Sequence, residues 1–193
     1  MNSNKSELIS RRAALIGGGV ALAGGGALAG ALGVVSVLPP LQAANPEWLY
    51  VPTPPNVVAR MLELAKVTKD DVVVDLGSGD GRIPIAAARE FGARSRGVDI
   101  DPVRISESNE NLKKSGVSHL VNFVQGDVFK EPVADATVVT IFLFPHVVLR
   151  LRDRLRSELK PGTRIVSHQF KFANWDPLKS EDIGSSSIFL WVV

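Results

Sequence analysis

The chain has 193 residues with 22 basic and 20 acidic side chains, a net charge of +2 and no cysteine. This length favours one folded domain, and the lack of cysteine excludes disulfides, thiolate metal sites and cysteine nucleophiles. From Asn45 onward there are 19 basic and 19 acidic residues, so the charge balance gives no reason to expect nucleic-acid binding.

The N-terminus divides into a polar stretch, residues 1–12, and an uncharged stretch, residues 13–38, that is rich in glycine and alanine. The second stretch is long enough to cross a bilayer as a helix, although its composition makes insertion marginal. Three interpretations are open: an uncleaved single-pass anchor, a leader that resembles a twin-arginine export signal at Arg11 and Arg12, and a disordered glycine-rich leader. The anchor predicts membrane association and leaves open which side holds the folded domain.

Four prolines between Asn45 and Pro55 mark residues 39–55 as an extended linker. The folded domain is predicted for residues 56–193. It begins with a helix over residues 56–67, because its apolar side chains recur with helical spacing.

A strand, a glycine-rich turn and a helix follow one another in residues 72–91. Three valines followed by Asp75 and Leu76 are typical of a strand buried on both faces. Alternating glycines and the start of a helix then place free N–H groups where a nucleotide can bind. A dinucleotide site is disfavoured, since Arg82 stands where that fingerprint needs glycine.

The pattern Asp-x-Gly-x-Gly-x-Gly, formed by Asp75, Gly77, Gly79 and Gly81, resembles the first motif of class I methyltransferases. Members of that class bind S-adenosylmethionine. The resemblance implies an α/β, Rossmann-like sheet with helices on both faces.

Two further aspartates follow the next predicted strands. Asp99 comes near the end of a strand over residues 95–100, at the distance from Gly77 at which a carboxylate can accept both ribose hydroxyls; Asp101 is the alternative. Asp127 follows a strand over residues 119–125 and is expected to accept from the adenine amino group. Ligands of open α/β sheets bind at the carboxyl ends of the strands, where these side chains would meet.

A fourth strand, residues 137–144, ends in Leu143-Phe144-Pro145-His146. Class I methyltransferases admit substrate over this loop, and those that methylate base amino groups commonly have an Asn-Pro-Pro-Tyr-like sequence there. This chain offers one proline and no amide, which argues against a nucleic-acid substrate. His146 is a candidate proton acceptor because an imidazole can take up a proton near neutral pH, and a structural residue otherwise.

The C-terminal part is predicted to contain a basic helix over residues 146–160 and strands over 164–170 and 187–193. No clear helix is indicated between residues 171 and 186. We therefore expect a trimmed C-terminal hairpin in place of the complete ending of this fold class.

The resemblance extends beyond the glycine motif, in chain order, to Val51-Pro52-Thr53-Pro54, the helix from Val57 to Ala65, and Phe170 with Trp175. This set resembles the protein-lysine methyltransferases that modify the mitochondrial ATP synthase c-subunit and the adenine nucleotide translocase, with their bacterial relatives. Members also carry an apolar N-terminal segment. The resemblance implies that S-adenosylmethionine is held by Asp75, Gly77, Gly79, Gly81, Asp99 and Asp127.

The expected activity is S-adenosylmethionine-dependent methylation of lysine in a membrane-associated protein. Phe144 and Trp175 are expected to form an apolar mouth that disfavours charged lysine, with Pro145 and His146 beside it. No metal and no nucleic-acid partner are expected. Two alternatives are open: a small-molecule or nucleic-acid methyltransferase on the same scaffold, and a non-catalytic, membrane-anchored module that binds S-adenosylmethionine.

Overall fold

The computed structural model describes residues 50–193. The predicted polar stretch, the apolar stretch and most of the linker lie outside the described residues. Within residues 50–193, no helix has the length and hydropathy needed to cross a membrane.

The described residues form alternating strands and helices. In chain order these are α1 Pro55–Leu64, β1 Val72–Leu76, α2 Arg82–Phe91, β2 Arg94–Asp99, α3 Pro102–Ser115, β3 Val121–Gln125, β4 Val138–Ile141, α4 Pro145–Glu158, β5 Arg164–His168, β6 Lys179–Ile183 and β7 Ser186–Val192. The strands make one sheet in the order β3-β2-β1-β4-β5-β7-β6. Strands β1 to β5 are parallel, and β7 pairs antiparallel with β5 and β6. This confirms the Rossmann-like α/β sheet.

Helices cover both faces of the sheet. Successive strand residues point in opposite directions, so a run of apolar residues makes both faces apolar, and both must be buried. Val73 packs in a core cluster with apolar residues of α1 and α2. Its neighbour Val74 packs on the other side with Leu151 and Leu155 of α4. The valines of β1 are therefore buried on both faces, as the sequence predicted.

The C-terminal hairpin differs from the prediction in one respect. No helix lies between β5 and β6, as expected, but the polar segment Lys179–Ile183 forms an additional edge strand. Its register with β7 and the ion pair from Arg60 of α1 to Glu181 (2.7 Å) hold it in place.

Strand β4 and helix α1 are shorter in the structure than predicted, because both end earlier. Strand β4 ends at Ile141, so Phe142 to Phe144 leave the sheet and turn towards the helix that begins at Pro145. Helix α1, predicted over residues 56–67, ends at Leu64; it begins one residue early, at Pro55, where a missing N–H costs nothing. The residues before it, 50–54, run without regular secondary structure.

Candidate functional site

A cavity of about 710 Å³ lies in the described part of the chain, among residues at and beyond the carboxyl ends of the parallel strands. Such volumes suit ligands of nucleotide size. The predicted residues that line it are Asp75, Gly77, Asp99, Asp101, Asp127, Phe144 and His146. Residues distant in the sequence therefore meet in one place because they lie at or just beyond the carboxyl ends of β1, β2, β3 and β4.

The glycine loop connects β1 to α2 and forms one wall of the cavity. The N–H groups of Gly77 and Ser78 donate to the Val98 carbonyl of β2 (2.8 and 2.9 Å), which fixes the start of the loop. Gly79 has φ +53° and Gly81 has φ +81°, backbone conformations that favour glycine. Neither of these two lines the cavity itself; they give the loop its shape.

Asp75 lies beneath the loop and is 2% exposed. The Thr140 hydroxyl of β4 donates to its Oδ1 at 2.6 Å. Burial raises the pKa of the Asp75 carboxyl to about 7, and the charges of Asp99 and Asp80 add to this, while the Thr140 hydrogen bond opposes it. The site thus holds a carboxyl group that changes protonation near neutral pH.

Asp99 is placed by two backbone donors. Its Oδ2 accepts from the Gly79 N–H at 2.8 Å, and its Oδ1 accepts from the Asp101 N–H at 3.0 Å. Each carboxylate oxygen keeps a free lone pair for a ligand hydroxyl. The alternative, Asp101, is the N-cap of α3, and its Oδ1 accepts a hydrogen bond from the Val103 N–H.

Asp127 lines the cavity beyond the end of β3. Its Oδ1 accepts from the Phe129 N–H at 2.9 Å, and Lys130 Nζ lies 3.5 Å from Oδ2. The turn therefore orients the carboxylate without consuming all of its acceptor capacity.

Part of the cavity wall is aromatic. Phe142, Phe144 and Phe170 line it, and the ring of His146 stacks on Phe144 with 6.0 Å between centroids. Pro145 begins α4 and is not a lining residue. His146 is exposed, and no hydrogen bond from the described residues orients its imidazole.

Trp175 is not among the residues that line the cavity. It packs against Phe172 and Trp191, with ring centroids 5.3 and 6.1 Å away. The structure therefore gives it a packing role in place of the expected position at the mouth. The reason is the hairpin, which brings Trp191 of β7 to the segment after β5.

Several lining residues have no role that the sequence predicts. They include Tyr50, Thr53, Ser78, Arg82, Arg104, Phe142 and Gln169. The prolines around Tyr50 indicated a linker, and Phe142 was counted as part of a strand. Gln169 has φ +70°, which no local sequence signal indicates.

The residues present fit an adenosyl cofactor that has both polar groups and apolar surface. The Ser78 hydroxyl is buried without a hydrogen-bond partner among the described residues, and Ser78 lines the cavity. Buried polar atoms without partners are uncommon, so this hydroxyl indicates a ligand. Within residues 50–193 no group of three or more His, Asp or Glu side chains is placed to hold a metal ion.

Comparisons with known proteins agree with this geometry. The ANTKMT methyltransferase domain family matches residues 75–179. A protein-lysine N-methyltransferase of Saccharolobus islandicus is 47% identical over 75% of this chain and 92% of its own length. The ATP synthase c-subunit lysine N-methyltransferase of Xenopus laevis is 34% identical over 66% of this chain. The matched region spans 56% of that longer protein.

A similar solved structure is that of an RNA methyltransferase from Salinibacter ruber in complex with S-adenosylhomocysteine. It is 48% identical, has a TM-score of 0.73, and the match covers 74% of this chain and 93% of that one. These matches confirm the S-adenosylmethionine-dependent methyltransferase predicted from the glycine motif. The chain belongs to the ANTKMT methyltransferase domain family.

Proposed function

We propose that this methyltransferase transfers a methyl group from S-adenosylmethionine to the side-chain amine of lysine in a membrane-associated protein. The observation that carries the lysine is the 47% identity to a protein-lysine N-methyltransferase across 92% of that protein. Two observations support a membrane-associated target. The chain is similar to a lysine N-methyltransferase of the ATP synthase c-subunit, and residues 13–38 form an uncharged stretch of membrane-spanning length.

The cofactor supplies a methyl group carried on a positively charged sulfur. In this proposal Asp99 accepts the ribose hydroxyls, Asp127 accepts from the adenine amino group, and the glycine loop with Asp75 borders the rest of the cofactor. The free lone pairs of Asp99 and the cavity position of Asp127 support these assignments.

The aromatic side of the cavity would receive the acceptor amine. An apolar wall of Phe142, Phe144 and Phe170 disfavours a charged ammonium group and so favours the neutral amine, which is the nucleophile. Methyl transfer is an in-line displacement, so the contribution of these side chains is to hold the amine at the correct distance and direction. His146 stands at this side as the candidate for taking up the released proton.

The test is methyl transfer from radiolabelled S-adenosylmethionine to four substrate pools: membrane proteins, lysine peptides, RNA and small metabolites. Label should enter protein and appear as methyllysine after complete hydrolysis. The Gly79→Ala variant, which disturbs the glycine loop, is the inactive control; Gly184→Ala, at a positive φ in the β6–β7 turn, is the matched active control. Label restricted to metabolites would contradict the lysine proposal. Label in soluble proteins alone would contradict the membrane target.

RNA methylation is a second candidate, because the similar structure from Salinibacter ruber is described as an RNA methyltransferase. Against it, the Leu143-Phe144-Pro145-His146 loop has no amide to hold a planar base nitrogen. The folded part also carries no surplus of positive charge with which to attract phosphates. Label in RNA but not in protein would favour this candidate.

A further inference from the structure

Residues 50–54, which we call the strap, form part of the cavity wall. Tyr50, Val51, Pro52 and Thr53 all line the cavity beside the glycine loop. Val51 is 52% exposed, whereas Thr53 is 3% exposed. The strap thus has one side in solvent and another against the cavity, and no strand among the described residues pairs with it.

Arg82 connects the glycine loop to the strap. Its Nη1 donates to the Thr53 carbonyl at 2.8 Å. The other two nitrogens of the same guanidinium, Nε and Nη2, donate to the two carboxylate oxygens of Asp80 at 2.9 and 2.6 Å. This two-point pairing fixes the plane of the guanidinium, so the remaining donor points in a defined direction. The Asp80 hydrogen bonds also raise the pKa of Arg82.

Tyr50 closes the other end of the strap. Its ring lies so close to the glycine loop that a Cβ atom at Gly79 would be 2.3 Å from Tyr50 Cε2. The Arg104 guanidinium covers the ring at 4.7 Å from its centroid. Thr53 Oγ1 is 3.2 Å from Nδ1 of the buried His168, a second contact that holds the strap against the end of β5.

We propose that Arg82 is a positioning residue. Its hydrogen bond to Thr53 holds the strap against the cavity and so slows the release of S-adenosylhomocysteine, the product formed from the cofactor. The Arg82–Thr53 contact has no role in the chemistry itself, but it keeps Tyr50 against Gly79 and completes the wall. The proposal concerns cofactor retention and is independent of the methyl acceptor.

The strap can be observed directly because Tyr50 is the single tyrosine of the chain. Replacing tyrosine by 3-fluorotyrosine in the full chain gives one ¹⁹F resonance, which reports the surroundings of Tyr50 without any cofactor. The dissociation rate of S-adenosylhomocysteine, measured by stopped-flow displacement, is the second readout. Together they separate a loosened strap from a direct effect on the ligand.

The test variant is Arg82→Met, which keeps the length of the side chain and removes every donor. We expect the Tyr50 resonance to move towards the position of free fluorotyrosine, and the dissociation rate to rise about tenfold, as suits one lost charged hydrogen bond. Arg89→Met is the matched control, since Arg89 lies on the same helix, is exposed and, within residues 50–193, pairs with its neighbour Glu90 alone. It should change neither readout.

Arg82→Lys keeps one donor for Thr53 but loses the two-point pairing with Asp80. We expect an intermediate effect on the Tyr50 resonance and on the dissociation rate. This variant replaces Arg82→Met as the test if Arg82→Met does not fold. If the Tyr50 resonance is unchanged while S-adenosylhomocysteine dissociates faster, the proposed role of the Arg82–Thr53 hydrogen bond is wrong, because Arg82 would then act on the ligand directly. A changed resonance with an unchanged dissociation rate would also overturn the proposal, because the strap would not retain the cofactor.

Discussion

Thr140 donates a 2.6 Å hydrogen bond to the carboxyl group of Asp75, and this pair is buried between neighbouring strands of the sheet. Asp75 is 2% exposed, and its pKa is raised to about 7, mainly by burial. A single proton therefore links the stability of the sheet to pH.

The sign of this linkage follows from the raised pKa. The folded state holds the Asp75 proton up to about pH 7, whereas the unfolded chain releases it near pH 4. The folded state is thus favoured below the unfolded pKa, and that contribution is lost as pH rises through the folded pKa. Asp75→Asn removes this dependence while its carbonyl can still accept from Thr140.

We expect the free energy of unfolding of Asp75→Asn, relative to the unmodified protein, to rise by about 2 to 3 kcal/mol between pH 5 and pH 8. Denaturant titrations of the cofactor-free proteins at each pH measure this difference. Other titrating groups are common to both proteins and cancel. A difference that stays constant across this range would show that Asp75 ionises with an ordinary pKa.

Gly79 is expected to tolerate no side chain. Alanine there meets the Tyr50 ring, with Cβ 2.3 Å from Cε2, and must also adopt φ +53°. We expect Gly79→Ala to weaken the binding of S-adenosylhomocysteine at least tenfold in calorimetry, because the loop or the strap must move.

The control for this prediction is Gly184→Ala in the β6–β7 turn. Gly184 has φ +61°, and a Cβ there meets nothing within 4 Å. Both variants carry backbone strain of about 1 to 2 kcal/mol, so a difference between them comes from the surroundings of Gly79, namely the Tyr50 ring and the Asp99 carboxylate that accepts from its N–H. Equal cofactor affinity of the two variants would refute the site at the glycine loop.

The sequence predicted the strands that carry the acidic residues because β-branched runs and glycine stops are local signals. Asp75, Asp99 and Asp127 each come at the end of a predicted strand, and parallel strands bring such positions to one edge. The prediction therefore required only element order and no knowledge of side-chain packing.

The parts that could not be predicted depend on contacts between distant residues. Tyr50 meets Gly79 across 29 positions of the chain, and the prolines beside it indicated only a linker. The polar segment Lys179–Ile183 has no strand-like alternation, and it becomes a strand because β7 pairs with it. Trp175 followed β5 as expected but turned towards Trp191, a contact that the hairpin creates.

Asp99 and Asp101 can be separated by the same substitution at each position. In Asp99→Asn, one carboxylate oxygen becomes an NH₂ group facing either the Gly79 N–H or the Asp101 N–H, so two donors oppose each other. We expect the affinity for S-adenosylhomocysteine to fall roughly 10- to 100-fold. Asp101→Asn should change it less than threefold, since asparagine caps a helix as well as aspartate does. Calorimetry measures the affinity of both variants for S-adenosylhomocysteine. If Asp101→Asn loses more affinity than Asp99→Asn, the ribose contact belongs to Asp101.

His146 is the remaining candidate for proton transfer, and its surroundings argue for a smaller role. The imidazole is exposed and stacks on Phe144, and no hydrogen bond from the described residues fixes its direction. Because methyl transfer depends chiefly on positioning, we expect His146→Asn to raise the KM for the acceptor and to lower kcat less than tenfold. His119→Asn, an exposed histidine outside the main cavity, is the control.

The measurement is the pH dependence of kcat with a lysine peptide that the enzyme has been shown to methylate. A general base contributes about 100-fold or more to the rate. A fall of that size in His146→Asn, with His119→Asn unaffected, would make His146 the proton acceptor. With only a KM change, the amine must arrive already neutral, so the aromatic wall of Phe142, Phe144 and Phe170 would carry that selection.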